Sequence, residues 1–147
     1  MVFHFMEHTL VLLRPDALRR RICGEIIAEL EQEGQIQASK MLQLTRDQMR
    51  EHYAHILGKS FYQSFEKYML SGPSMALVFE GEKVIEGIRR RIGSIDQPET
   101  LRGRFAESVS HNVIHGSDSP ESAEEEMQRF FTEEELRTVR NVVPCQR

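Results

Sequence analysis

Val109-Ser110-His111-Asn112-Val113-Ile114-His115-Gly116-Ser117-Asp118-Ser119-Pro120-Glu121 joins an apolar end, a glycine turn and a helix start in one short run. Val109 to Ile114 predicts the last strand of the domain, with His115 at its end. Ser119-Pro120-Glu121 reads as an N-cap, a first-turn proline and an acid that complements the positive end of the helix dipole. The helix opened there should run to about Phe131, with Ala123, Met127 and Phe130 facing inward and Glu126 beside them. A strand handing over to a helix through His115 and Gly116 is the close of a β-α alternation, and the residues upstream supply its beginning.

Thr9 to Leu13 is a compact run of leucine and β-branched residues that stops at Arg14-Pro15-Asp16, because proline has no amide to give a ladder; it predicts a buried strand. Ile22, Ile26, Ile27 and Leu30 recur at helical spacing, and Gly34 stands where a left-handed residue often closes a helix. Gln35 to Leu44 sets Ile36, Ala38, Lys40, Leu42 and Leu44 against mostly polar neighbours, as a strand with one buried face does. Thr45-Arg46-Asp47-Gln48 matches a capping box and predicts a short helix carrying Met49, Tyr53, Ile56 and Leu57. A second short helix should hold Phe61, Phe65, Tyr68 and Met69.

After the turn Ser71-Gly72-Pro73, Met75 to Phe79 is apolar enough for another buried strand. Val84, Ile85, Ile88 and Ile92 form a helical stripe, weakened by Gly87. Gly93 to Arg104 lacks periodicity and predicts a loop of functional length, punctuated by Gly93, Pro98 and Gly103. Thr132-Glu133-Glu134-Glu135 starts a final short helix. The order predicts an α+β fold: a ferredoxin-like β-α-β-β-α-β antiparallel sheet with additional helices. Residues 1–147 make one domain, with 1–6 as a short extension and 137–147 as a tail.

A net charge of −4 argues against a chain devoted to neutralising a nucleic-acid backbone, although a few arginines can still bind one small anion. Cys23 and Cys145 form neither a metal-ligand spacing nor a disulfide framework, which fits a reducing cytoplasm. Leu10-Val11-Leu12-Leu13 is far shorter than the ~20 apolar residues of a membrane span. It also lacks the basic start of a signal peptide.

His115, on a rigid strand end before an open turn, is well placed to act as a nucleophile. A carboxylate from Glu126 on one ring nitrogen would orient the imidazole and leave the other lone pair free. Spacing alone leaves two other readings open: a structural histidine, and a Glu126 that borders solvent.

Further runs give the pattern its specificity. Asn112 to Ser119, Arg14-Pro15-Asp16, Gly24-Glu25-Ile26-Ile27, Glu51-His52-Tyr53, Ser71-Gly72-Pro73 and Leu101-Arg102-Gly103 occur in the order seen in nucleoside diphosphate kinases, which this chain resembles from residue 8 to about 136. The resemblance implies phosphoryl exchange between nucleoside triphosphates and diphosphates through a phosphohistidine at His115, with little base selectivity. It places Tyr53, Arg89 and Arg102 near the terminal phosphates and Asn112 near the sugar hydroxyl. Phe61 and Val109 would lie on either side of the base, Ser117 and Glu126 would hold the histidine, and Asp118 would lie near magnesium carried by the nucleotide. It also implies a homo-oligomer built from dimers.

Two departures stand out. Arg14 occupies a position that is normally lysine in the family, and a planar fork is not equivalent to a compact ammonium at a crowded phosphate or sugar hydroxyl. The 93–102 loop is short, with Ile95-Asp96-Gln97 where a Thr-Asn-Pro segment is expected; a phosphate-contacting hydroxyl is lost unless Ser94 or Thr100 replaces it. Shortening this loop also puts a hexamer in doubt. Both departures fit a rival reading, a weakened homologue serving as a nucleotide-binding or protein-interaction module. The retained His115, Glu126, Tyr53, Asn112 and Arg102 favour the enzyme. Arg19-Arg20-Arg21 and Arg89-Arg90-Arg91 lack interleaved aromatics for nucleic acid. The pairs His52/His55 and His111/His115 lack the cysteine companions common in structural metal sites.

Overall fold

Leu10, Val11, Leu12 and Leu13 form a continuous apolar run because both faces of their strand are covered: Leu10 and Leu12 enter one core cluster, Val11 and Leu13 the other. Each such fully buried side chain contributes roughly 1.5–3 kcal/mol. The computed structural model describes residues 6–139, with side chains to 137. Strand β1 (Met6–Leu13) runs antiparallel to β3 (Ser74–Glu82) in register from Met6 opposite Glu82 to Leu13 opposite Met75. Strand β2 (Gln35–Leu42) pairs with the other edge of β3, and β4 (Ile114–Gly116) pairs with β1. The order is β2-β3-β1-β4. This is two interleaved β-α-β units, the ferredoxin-like α+β arrangement the sequence predicts.

Helices α2 (Cys23–Leu30) and α5 (Val84–Ile92) cover the face carrying Val11, Leu13, Leu77 and Phe79. On the opposite face lie α3 (Arg46–His52), α4 (Tyr62–Met69) and α8 (Glu133–Val139). Thr45 caps α3 with the expected capping box: its hydroxyl accepts from Gln48 N, and the Gln48 side chain takes the Thr45 amide. Ser119 caps α7 (Pro120–Phe130) with Pro120 in its first turn, and the helix buries Ala123, Glu126, Met127 and Phe130. Ala123 packs in one cluster while Met127 and Phe130 pack in the other, so α7 passes beside β1 between the two faces.

Several expectations need correction. Residues 109–113 are not strand; β4 begins at Ile114. The reason is Val113, which sits at φ 65° with its carbonyl taken by Arg14 N, while Ile114 N bonds back to Asn112 O at 2.8 Å. That three-residue turn forces a buried β-branched residue into the left-handed region, a strain of about 1–3 kcal/mol. The segment read as loop to Arg104 ends in helix α6 (Leu101–Phe105), whose N-cap is Thr100. Pro15 not only ends β1 but starts a short helix α1 (Pro15–Arg19). Gly34 does not close a helix. α2 stops at Leu30, and Gly34 instead lies so near β3 that a Cβ there would come 2.6 Å from Glu80 O.

The alternation predicted for β2 breaks at a bulge between Ile36 and Ala38. The extra residue turns Ile36 to one core and Ala38 and Leu42 to the other. Gly87 does not interrupt α5, since the Glu33 carboxylate occupies the space where its Cβ would be. Met6 is already part of β1 and residues 137–139 belong to α8; the remainder of the expected extension and tail, with Cys145, lies outside the described residues.

Candidate active site

Pairing in the sheet sets His115 opposite Leu12, two residues before Arg14, so the strand-end histidine and the first buried cation share one corner. Nε2 of His115 lies 2.9 Å from Oε1 of Glu126. A carboxylate oxygen accepts, so Nε2 carries the proton and Nδ1 keeps the lone pair. Ser117 donates its hydroxyl proton to the same Glu126 oxygen at 2.7 Å. That hydroxyl also accepts from Leu10 N at 3.1 Å, and Ser117 N donates to Leu10 O, so Ser117 is stapled to β1. It therefore holds Glu126 rather than the histidine ring itself. Glu126 is only 8% exposed, and these two bonds answer the cost of burying its charge.

Two arginines grip the backbone on either side of His115. Arg102 on α6 donates to Ile114 O at 2.9 Å, and Arg89 on α5 donates to Gly116 O at 3.2 Å. The triplet 89–91 is thus resolved: Arg90 pairs with Glu86, Arg91 pairs with Glu33 at 2.6 Å, and Arg89, though exposed, reaches the backbone beside His115. Burial, reinforced by the Arg14 and Arg89 charges, lowers the Arg102 pKa to about 10. Burial also pushes His115 below the ordinary imidazole range; Glu126 opposes the shift, and Arg14 and Arg102 add to it. Clustered cations of this kind favour an anion among them.

Arg14 is buried. One Nη donates to Asn112 Oδ1, the other to Tyr53 Oη at 3.1 Å, and the guanidinium lies 5.2 Å from the centre of the Phe65 ring. Asn112 Nδ2 in turn donates to Val109 O at 2.7 Å. A lysine ammonium in this place would lack the planar fork that reaches both partners. Phe61 and Val109 are not core residues: they are 48% and 81% exposed, Phe61 capping α4 and Val109 on the loop before the Val113 turn. Neither hydroxyl of the short loop is free for a ligand. Thr100 Oγ1 donates to Gln97 O at 2.7 Å and accepts from Gly103 N, and Ser94 Oγ meets Gln97 Oε1. Gly93, at φ 58°, permits this tight fold over Thr100.

Asp118 is exposed, beside a surface cleft of about 620 Å³ shared with Arg89, Arg90, Lys83 and Glu86. A hydrogen bond from Ser122 and the Arg89 charge, against partial burial, keep its carboxyl below the usual range. An ionised oxygen donor of this type suits magnesium held mainly by phosphates and water. Among the described residues, neither histidine pair considered for metal falls together in a group of three or more candidate ligands. Instead His52, His115 and Glu126 bring candidate ligand atoms within 4.8 Å of one another. There, however, Glu126 engages Nε2 of His115 and Arg129 engages Nδ1 of His52.

Arg129 is not singled out in the sequence, Phe65 enters there only on the stripe of a short helix, and His52 only through the Glu51-His52-Tyr53 run and as half of a metal pair. Arg129 follows Glu126 by three residues, so helical spacing alone puts it on the same side of α7. In the arginine triplet 19–21, which is exposed, Arg19 donates to Ser71 Oγ at 2.9 Å and Arg20 to Phe105 O at 2.5 Å.

Comparison with known proteins gives one consistent result. The family model described as nucleoside diphosphate kinase matches residues 7–136. A nucleoside diphosphate kinase of Thermoplasma acidophilum is 46% identical over 135 residues, covering 88% of this chain and 91% of the relative. Another, from Moorella thermoacetica, is 46% identical over 136 residues, covering 89% and 98%. Among solved structures, the nucleoside diphosphate kinase of Aquifex aeolicus superposes with a TM-score of 0.82 at 34% identity, covering 89% of this chain and 99% of that one. The nucleoside diphosphate kinase of Encephalitozoon cuniculi gives 0.83 at 32% identity, covering 87% and 90%.

Proposed function

The chain belongs to the nucleoside diphosphate kinase family, and from that premise we propose that it moves the terminal phosphoryl group between nucleotides through a covalent intermediate on Nδ1 of His115. The observation that carries this reading is the bond from His115 Nε2 to Glu126, which leaves Nδ1 as the nucleophilic nitrogen.

In the first half-reaction the Nδ1 lone pair forms a bond to the terminal phosphorus. The bond from that phosphorus to the bridging oxygen breaks, and the nucleoside diphosphate leaves with the electron pair. The second half-reaction reverses these steps toward another diphosphate. Charge builds on Nε2–H of the phosphorylated ring, and Glu126 is placed to balance it. The transferred group is nearly metaphosphate-like, so alignment and spread positive charge do most of the work. Arg102 and Arg89 fit that task, with Tyr53 near the phosphates. Asn112 and Arg14 would meet the sugar, and the exposed Phe61 and Val109 would contact the base by its flat faces, which discriminate little between bases. Magnesium enters as part of the nucleotide substrate, with Asp118 beside it.

The same reading includes an assembly built from dimers, supported by the position of β2 at the end of the described sheet and by Met41, 54% exposed on it. It also includes one domain and a cytoplasmic setting. Among the described residues no helix is long and apolar enough to cross a membrane.

The test is a pulse with terminally labelled ATP followed by a GDP chase. The expected result is a base-stable, acid-labile label on the protein that moves to GDP and is absent from His115→Ala. An unlabelled parent protein would overturn the reading.

A further inference from the structure

His52 ends α3 one residue before Tyr53, and nothing in the phosphoryl transfer described so far calls on it. Three rings surround it. It stands edge to face against His115, with centroids 4.7 Å and planes 83° apart; Tyr53 lies at 4.5 Å and Phe130 at 5.2 Å. Its Nδ1 is 2.8 Å from Nη1 of Arg129. A guanidinium can only donate, so Nδ1 must offer its lone pair and the ring proton must sit on Nε2. Glu51 backs the guanidinium at 3.3 Å from Arg129 Nε. Helix α7 therefore reaches both imidazoles, Glu126 binding His115 and Arg129 binding His52.

The Glu126 bond fixes where Nε2 of His115 points. One contact at the far end of a ring does not fix the tilt of its plane. A second ring packed at right angles does, because rocking His115 would drive it into His52.

We propose that His52 is a positioning residue for the phosphoryl carrier: an uncharged imidazole, its tautomer set by Arg129, that walls one side of His115 and holds the plane in which Nδ1 presents its lone pair. This rests on His115 being the carrier. The surroundings keep His52 uncharged: burial first, then His115, Arg129, Arg14 and His55, push its pKa down to about 2. The other titratable groups facing it are Glu126 across the His115 ring, Glu51 behind Arg129 and the Tyr53 hydroxyl, itself held by Arg14. A proton on Nδ1 would meet the Arg129 guanidinium head on, break that bond and release the ring.

Single-turnover phosphorylation by labelled ATP, with the full-length parent, His52→Gln and His52→Phe, tests this directly. Both substitutions should lower the rate constant for phosphoenzyme formation about 10- to 100-fold, as small misplacements of reacting groups do. The ATP concentration for half-maximal rate should move by less than about threefold, and His52→Phe, which keeps a flat ring against His115, should retain more rate than His52→Gln. A rate within about twofold of the parent in either folded variant, or a loss confined to half-saturation, overturns the inference. Nitrogen-15 NMR of the parent imidazoles needs no variant. His52 should carry its proton on Nε2 without titrating between about pH 5 and about pH 9, a range that spans the ordinary imidazole value. A proton on Nδ1, or a midpoint within that range, also overturns it. A parent that takes no label at His115 removes the carrier reading and this inference together; a labelled parent with equally fast variants removes the inference alone.

Discussion

Oε1 of Glu126 lies 2.9 Å from Nε2 of His115, and the same oxygen receives the hydroxyl proton of Ser117 at 2.7 Å. One buried carboxylate thus sets the tautomer of the candidate nucleophile while being fixed to β1 through Ser117. Glu126→Gln keeps the shape and removes the charge. It should slow phosphoenzyme formation roughly 10- to 100-fold, about 1.4–2.7 kcal/mol in barrier height.

The pH profile of that variant has a definite direction. His115 attacks as the neutral ring, and Glu126 raises its pKa while burial, Arg14 and Arg102 lower it. Without the carboxylate only the lowering influences remain. The acid limb of the single-turnover rate should therefore move to lower pH even as the plateau falls. An acid limb that moves upward would show that Glu126 does not stabilise the protonated ring.

Acid should also weaken the fold through His52. An unfolded imidazole titrates near about 6.5, whereas the folded ring is pushed down to about 2. Below the unfolded value the unfolded chain binds the extra proton, so stability falls as pH falls, by up to about 1.4 kcal/mol per pH unit from this residue. Urea unfolding between pH 7 and pH 5 should show a shallower decline in His52→Gln than in the parent. Parallel declines would contradict the buried, uncharged state.

Arg14 ties Asn112 and Tyr53 together before any ligand arrives. Arg14→Lys gives up the fork, and the two side chains then turn to nucleotide more freely. Turnover should rise, while thermal stability falls because hydrogen bonds of a buried cation, about 1.5–3 kcal/mol each, are lost. A variant no faster than the parent would count against Arg14 as the brake.

Thr100 spends its hydroxyl on capping α6. Thr100→Ala should cost about 0.5–2 kcal/mol of stability, the usual value of a cap. Nucleotide KM should change less than about twofold. A large rise in KM with unchanged stability would return that hydroxyl to the phosphate.

The order of strands and most helices along the chain follows from local signals: the Thr45 and Ser119 caps, the proline stops and the apolar stripes all lie within a few residues of the elements they define. What sequence could not supply depends on long-range contact. Val109 to Ile114 has strand composition, yet tying Val113 O to Arg14 N turns the chain at φ 65° and leaves only Ile114 for the sheet. The bulge beside Ile36 likewise needs the partner strand to be seen. At the site, Glu126 was readable because helical period places it beside the inward stripe. The grip of Arg102 and Arg89 on Ile114 and Gly116 was not, because a side chain bonding a backbone carbonyl across the fold leaves no spacing in sequence. His52 carried a signal in its position next to Tyr53, but its partner Arg129 lies 77 residues away.

The most direct test of His115 as carrier is phosphorus–nitrogen coupling in the nitrogen-15-labelled phosphoprotein, which identifies the phosphorylated atom. The bond from Nε2 to Glu126 predicts phosphorus on Nδ1 of His115, with Nε2 still protonated. Phosphorus on Nε2, or on any other residue, would contradict it.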